Sequence, residues 1–425
     1  MSAASGQTVL IAGLSKDGRR EEYFLVDAEQ GRVGQWSIGI EEQRDAVLRE
    51  AESRWTGSLA YGVSELEQML PYWLHPHSFL QVGHQLAVSF KQAPYLRVID
   101  PRSRESRLVA PGAASWEENS FEWVLGSTCG LGGDGTVVTA AVRFEEQMAA
   151  LGHGAAFGAT VFELDLETGA GAELAALPPF VTDSVHEVAV GGSGHIVTVD
   201  MNLAVEAPPA PSKAWTGKGA TDIEDYARYR FPTSRFALTT PGGRTTIHDV
   251  ETACASHVDF DLDDPGVFFI SCNNISKRRD AIVLHGPGAI ERYETDAEQL
   301  RLTHRLEDPR LLRITTVTPF VRDGERLLAA TGYPNQLWIL GADDLSVRTV
   351  IELFEAEIRT PPFLCGRMGK EPLYLAPSED GSQVVLTGAG TAFVVSLGAG
   401  RVVGTHEFAP TGSFAATAHI GNVHL

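Results

Sequence analysis

The chain has 425 residues and a formal net charge of −21. A field of that sign repels phosphate backbones and anionic membrane surfaces, so no nucleic-acid or membrane partner is expected. Hydrophobic residues at 43% and charged residues at 21% are ordinary for a folded domain. No run reaches the ~18 apolar residues of a membrane-crossing helix.

Residues 8–14, 22–27 and 33–38 open the chain with three strands, and the polar start from Met1 to Gln7 shows no signal peptide. The four cysteines (Cys129, Cys254, Cys272 and Cys365) are scattered without a Cys-x-x-Cys, which fits a reducing cytoplasm better than a disulfide framework. Ile40, Val47, Leu48, Ala51 and Trp55 lie on one stripe and predict a helix over 40–55. Ser64 and Glu67 form a capping box ahead of Leu66, Met69 and Leu70.

A repeat then recurs: an apolar strand, a turn rich in Asp, Gly, Glu or Thr, and a second strand. The copies begin at Tyr23–Asp27, Leu96–Asp100, Val161–Asp165, Thr246–Asp249 with Glu251-Thr252, Ile290–Tyr293, Leu337–Leu340 and Ala392–Val395. Each reads as the outer hairpin of a four-stranded blade. A long excursion over 205–232 opens with Pro208-Pro-Ala-Pro211 and carries Trp215, Tyr226, Tyr229 and Phe231. Residues 414–424 supply one last strand, which completes a blade with the three N-terminal strands and removes an open sheet edge.

The pattern predicts one all-β domain over 1–425. It is a seven-bladed β-propeller closed by its N- and C-terminal strands, with insertions at 40–73 and 205–232 over one face. The stretch 235–262 parses poorly and leaves six or eight blades open; a pair of packed sandwiches is the rival fold.

Four blades start their innermost strands with a histidine. These are His77 (with His75) in Leu74–Phe79, His186 in Ser184–Val188, His257 in Ser256–Phe260 and His419 in Thr417–Ile420. Phe121, Thr318-Pro319 and Pro361-Pro362 take that place elsewhere. Neutral imidazoles meeting around an axis bind Fe(II), Mn(II), Zn(II) or Cu(II). Glu187 and Asp259 stand nearby to orient the imidazoles or move a proton. His153, His195, His248, His285, His304 and His406 fall in turns or outer strands and are expected to face solvent.

This arrangement resembles the carotenoid cleavage oxygenases, seven-bladed propellers whose axial iron is held by four histidines. The resemblance implies metal ligation by His77, His186, His257 and His419. A second, local resemblance is to the oligogalacturonate lyase propellers. Their His-x-x-Phe strand start followed by Asp-Pro is similar to His257–Phe260 with Asp264-Pro265, although their downstream histidine pair is missing. Both imply a metal-centred enzyme.

Other motifs are bland. Gly130–Gly135 is a hairpin turn rather than a phosphate loop, since no Gly-Lys-Ser/Thr follows. Asp259–Asp264 lacks the spacing and terminal Glu of a calcium loop. Trp73, Phe79, Trp123, Tyr333 and Trp338 are expected in the core.

The leading expectation is a metal-dependent lyase or oxygenase, a monomer or homodimer, acting on a small organic molecule in the channel. A non-catalytic propeller binding a protein or peptide stays open, as does a metal-free propeller with acid–base histidines.

Overall fold

A computed structural model describes the chain from Gln7 to His424, except residues 55–69, 72, 114–115, 117–120, 134, 151–155, 182–184, 201–233, 251–253, 278–280, 297–298, 358, 367–373, 389, 411–412 and 415–417. The backbone is mostly antiparallel strand, gathered into seven small sheets in a ring. This is the seven-bladed propeller the hairpin repeat predicts.

Each blade is named by its strands from the axis outward. Blade 1 joins the two chain ends: His419–Asn422, Thr8–Leu14, Arg20–Asp27 and Gly31–Gly39. Val9 faces Asn422 and Ala12 faces His419 across the closing ladder. Blade 2 holds Pro76–Val82, Gln85–Phe90, Leu96–Ile99 and Ser106–Val109. In blade 3 the inner strand is split, with Trp123–Leu125 and Gly130–Leu131 both pairing Thr136–Arg143; Phe157–Asp165 and Gly171–Val181 follow.

Blade 4 holds Val185–Val190, Ile196–Asp200, Arg235–Thr239 and Thr245–Asp249. Blade 5 holds Ala255–Phe260, Val267–Cys272, Ala289–Thr295 and Leu300–Leu306. Blade 6 runs from Val317–Arg322 through Glu325–Gly332 and Gln336–Gly341 to Val347–Glu352. Blade 7 runs from Tyr374–Pro377 through Gln383–Thr387 and Thr391–Ser396 to Arg401–Glu407. The inner strand of blade 1 touches those of blades 2 and 7, which closes the ring.

Burial grades along each blade. Val267–Cys272, a second strand, is buried at every position because neighbouring blades cover both of its faces. The outer strand Arg401–Glu407 alternates between half-buried and exposed, the mark of one wet face. Third strands carry a buried polar–aromatic pair two residues apart. Tyr293 donates to Glu291 at 2.6 Å, Trp338 Nε1 donates to Gln336 at 3.0 Å, and Tyr23 donates to Glu21. Two residues apart on a strand means one face, so the ring shields the polar group that its own hydrogen bond satisfies.

The blade seams are bolted by charge as well as packing. Arg97 of blade 2 grips Glu21 of blade 1 with both ends of its guanidinium, at 2.7 and 2.9 Å, and both side chains are buried. Asp261 accepts from the backbone of Asp263 and Asp264 and pairs with Arg326 of blade 6 at 3.0 Å. The acidic run is thus a turn. Gly133 N and Thr136 Oγ1 bond to Glu163 and close the hairpin turn expected at 130–135.

Two parts of the sequence parse need correction. The outer hairpin of blade 4 is Arg235–Thr239 with Thr245–Asp249, one strand earlier than the Thr246–Thr252 copy. Blade 7 starts at Tyr374, not at Pro361-Pro362. The intervening Phe363–Gly366 joins an eighth, three-stranded sheet with Ile275–Lys277 and Ala281–Leu284. Insertions of near-strand composition imitate blade strands, and nothing local separates them.

The expected helix is present as α1, Glu41–Arg54, with Val47 and Ala51 buried. The 64–70 capping box starts in, and the 205–232 excursion lies wholly in, residues outside the described set. Helix α2, Phe144–Ala150, follows the second strand of blade 3. Second strands end where inner strands begin: Phe90 faces Pro76, Asp200 faces Val185 and Cys272 faces Ala255. Both helices and the added hairpin therefore leave from that end, while tight turns such as Asp323-Gly324 join strands at the other.

Candidate metal centre

The end that carries the insertions also carries the histidines. His77, His186 and His257 lie in the inner strands of blades 2, 4 and 5, and His419 opens the inner strand of blade 1. His75 sits two residues before His77. All five are between 2% and 8% exposed. Their rings form a continuous patch: centroids are 4.2 Å apart for His77–His419, 5.1 Å for His77–His186 and 5.2 Å for His186–His257. His75 is 5.7 Å from His77 and 5.6 Å from His419.

The strands aim these rings by breaking register where the histidines fall. The ladder of blade 2 slips between Pro76 and Ser78, around His77. In blade 4 it slips between Val185 and Glu187, around His186. In blade 5 it slips between Ala255 and Val258, around His257. An extra residue at such a bulge is unpaired and its side chain is re-aimed.

The slip in blade 4 has a second effect. Neighbours on a regular strand point to opposite faces, yet ligand atoms of His186, Glu187 and His257 all lie within 4.8 Å of one another. Glu187 Oε2 is 2.6 Å from His257 Nδ1. Ligand atoms of His75, His77 and His419 form a second such group. The carboxylate at His257 is thus Glu187. Asp259, two residues along, stands close enough to Glu187 to feel its charge; burial first and that charge second push it up to about 8.

Burial, and next the neighbouring imidazoles, hold His77 and His419 well below the ordinary imidazole value, so both rings are neutral at pH 7. His77 Nδ1 is buried with no hydrogen-bond partner. Converging imidazoles, with a buried unpartnered nitrogen at His77, fit a divalent transition metal.

Sequence reasoning named His75 only beside His77 and missed two further neighbours. Lys91 follows a buried strand, with its Nζ 2.5 Å from His186 Nδ1. The Tyr374 ring stacks on His419 at 3.6 Å. No periodicity marks a lysine or a tyrosine as axial once the blade start is misplaced. His195, expected to face solvent, is 7% exposed with Nδ1 2.7 Å from Ser193 Oγ. His248 stacks on Phe236 and is half-buried. Trp73 and Trp338 are core residues as expected.

No family model matches the chain, and no curated protein sequence matches it. Among solved structures it is similar to a functionally unknown protein from Desulfotomaculum acetoxidans, at 12% identity and TM-score 0.51, over 98% of this chain and 99% of that one. It is also similar to a chain of the mitotic checkpoint complex, at 10% identity and TM-score 0.50, over 89% and 81%. These likenesses show the fold alone. The class defined by fold and site is a seven-bladed propeller with clustered axial histidines, and no helix among the described residues is long and apolar enough to cross a membrane.

Proposed function

We propose that this propeller is a metal-dependent enzyme that acts on a small organic molecule at the histidine end of its central channel. One observation carries the reading: imidazoles from blades 1, 2, 4 and 5 meet in a buried patch, with ring centroids 4.2–5.2 Å apart from one to the next. Chance placement of four histidines would scatter them over the ring.

His77, His186, His257 and His419 supply the nitrogen donors. A divalent Fe, Mn, Zn or Cu ion bound there supplies Lewis acidity to a substrate oxygen and activates water or dioxygen, which is lyase or oxygenase chemistry. Glu187 holds the Nδ1 side of His257, and Asp259 is the second carboxyl beside it. These two are the site's acid–base groups. Tyr374 walls the His419 side. Helix α1 leaves the ring at the same end.

The test is metal content by plasma mass spectrometry for the purified protein, His77→Ala and His257→Ala. The expected result is near-stoichiometric metal in the wild type and less in each variant, with unchanged circular dichroism. A wild type that binds none of these ions after dialysis against each would end the proposal, leaving a metal-free or partner-binding propeller.

A further inference from the structure

We infer that the patch is two metal sites rather than one: a three-imidazole site of His75, His77 and His419, and a two-imidazole, one-carboxylate site of His186, Glu187 and His257. The inference rests on the metal-binding reading above and concerns how the donors divide.

The division is geometric. Each trio has ligand atoms mutually within 4.8 Å. Donors to one ion stand no more than about 4 Å apart, twice a metal–nitrogen bond of ~2.0–2.1 Å. Each trio therefore needs under about an ångström of adjustment. The four-histidine set of separate blades does not form such a group.

The division also follows the blades. Adjacent blades 1 and 2 give the first trio, and adjacent blades 4 and 5 give the second. Blade 3 stands between them, with the inner strand Trp123–Leu125 and no histidine in it. His75 immediately precedes the strand that carries His77, and its ring lies 5.7 Å from that of His77. His186 and Glu187 are consecutive and come together only because of the bulge at Val185/Glu187. That bulge aims His186 and at the same time brings the Glu187 carboxylate to it.

The first trio holds an unpartnered acceptor, since His77 Nδ1 is buried without a hydrogen bond. In the second, Glu187 Oε2 lies 2.6 Å from His257 Nδ1, so carboxylate and imidazole already stand together. Lys91 Nζ lies 2.5 Å from His186 Nδ1, which orients that ring. The trios abut, with His77 and His186 centroids 5.1 Å apart, so one substrate oxygen can reach both.

Their chemistry differs. Three imidazoles suit a softer ion, and two imidazoles with a carboxylate suit a harder one and offset its charge. The experiment titrates metal-free protein with Co(II), read by equilibrium dialysis and by the visible d–d spectrum. The wild type is expected to take up two ions. His419→Ala and His257→Ala are each expected to take up one, with different spectra, and the double variant none. Glu187→Gln keeps shape and volume; it is expected to weaken one of the two binding steps at least tenfold and spare the other, which covers a misfolded alanine variant. One ion in the wild type, lost in either single variant, would overturn the inference while the single-centre enzyme stands. No Co(II) uptake at all would defeat both.

Discussion

Arg97 and Glu21 show what a single contact does at a blade seam. Glu21 is fully buried and accepts three hydrogen bonds, two from Arg97 and one from Tyr23. A buried charge that loses its partner is left with an uncompensated desolvation cost. Arg97→Met is therefore expected to lower stability by about 3–5 kcal/mol, read as a fall in the denaturant midpoint. The double variant Glu21→Gln with Arg97→Met is expected to regain most of that loss, because no ion then remains buried. Equal loss in both would assign the effect to packing of the arginine stem. At the histidine patch the same rule applies: His77 Nδ1, buried without a partner, is a standing cost that the proposed cation would remove.

Within a blade, position along the strand order sets the sensitivity of each strand. Ile270 lies on a second strand and is fully buried, while Val403 lies on an outer strand and is 49% exposed. Ile270→Ala is expected to cost about 2–5 kcal/mol by lost burial plus cavity. Val403→Thr is expected to change stability by less than about 0.5 kcal/mol. Chevron or equilibrium unfolding of the pair reads the difference directly, and similar values would contradict the packing gradient. Much of this was legible in the sequence, since alternating strands separated by Asp- and Gly-rich turns gave six of the seven outer hairpins in register. Blades 4 and 7 were misread because the 235–262 stretch and the Phe363–Gly366 strand carry the same local pattern as true blade strands. The bulges at His77, His186 and His257 were not legible either. A slip in register is a relation between two strands, and neither strand alone encodes it.

The whole ring depends on one ladder, Thr8–Leu14 against His419–Asn422. Without the last strand, the Thr8–Leu14 strand keeps a bare edge toward the axis, with Val9 and Ile11 from the core beside it. A chain ending at Ala409 is expected to lose cooperative unfolding and to aggregate, as seen by calorimetry and gel filtration. Adding a synthetic peptide of residues 410–425 is expected to restore a compact species. A truncated chain that stays monomeric with an unchanged melting curve would show that closure contributes little.

The amino-acid sequence by itself determined most of the strands and their turns, favoured seven blades over six or eight, and showed which histidines open inner strands. Those are properties of alternation and spacing along one chain. Tertiary structure alone decided that Glu187 rather than Asp259 meets His257, that Lys91 and Tyr374 join the patch, and that the donors fall into two trios. The reason is physical: ring closure brings residues up to about 340 positions apart (His77 and His419) to within van der Waals reach, and bulges turn consecutive side chains to one face. No local pattern records either effect.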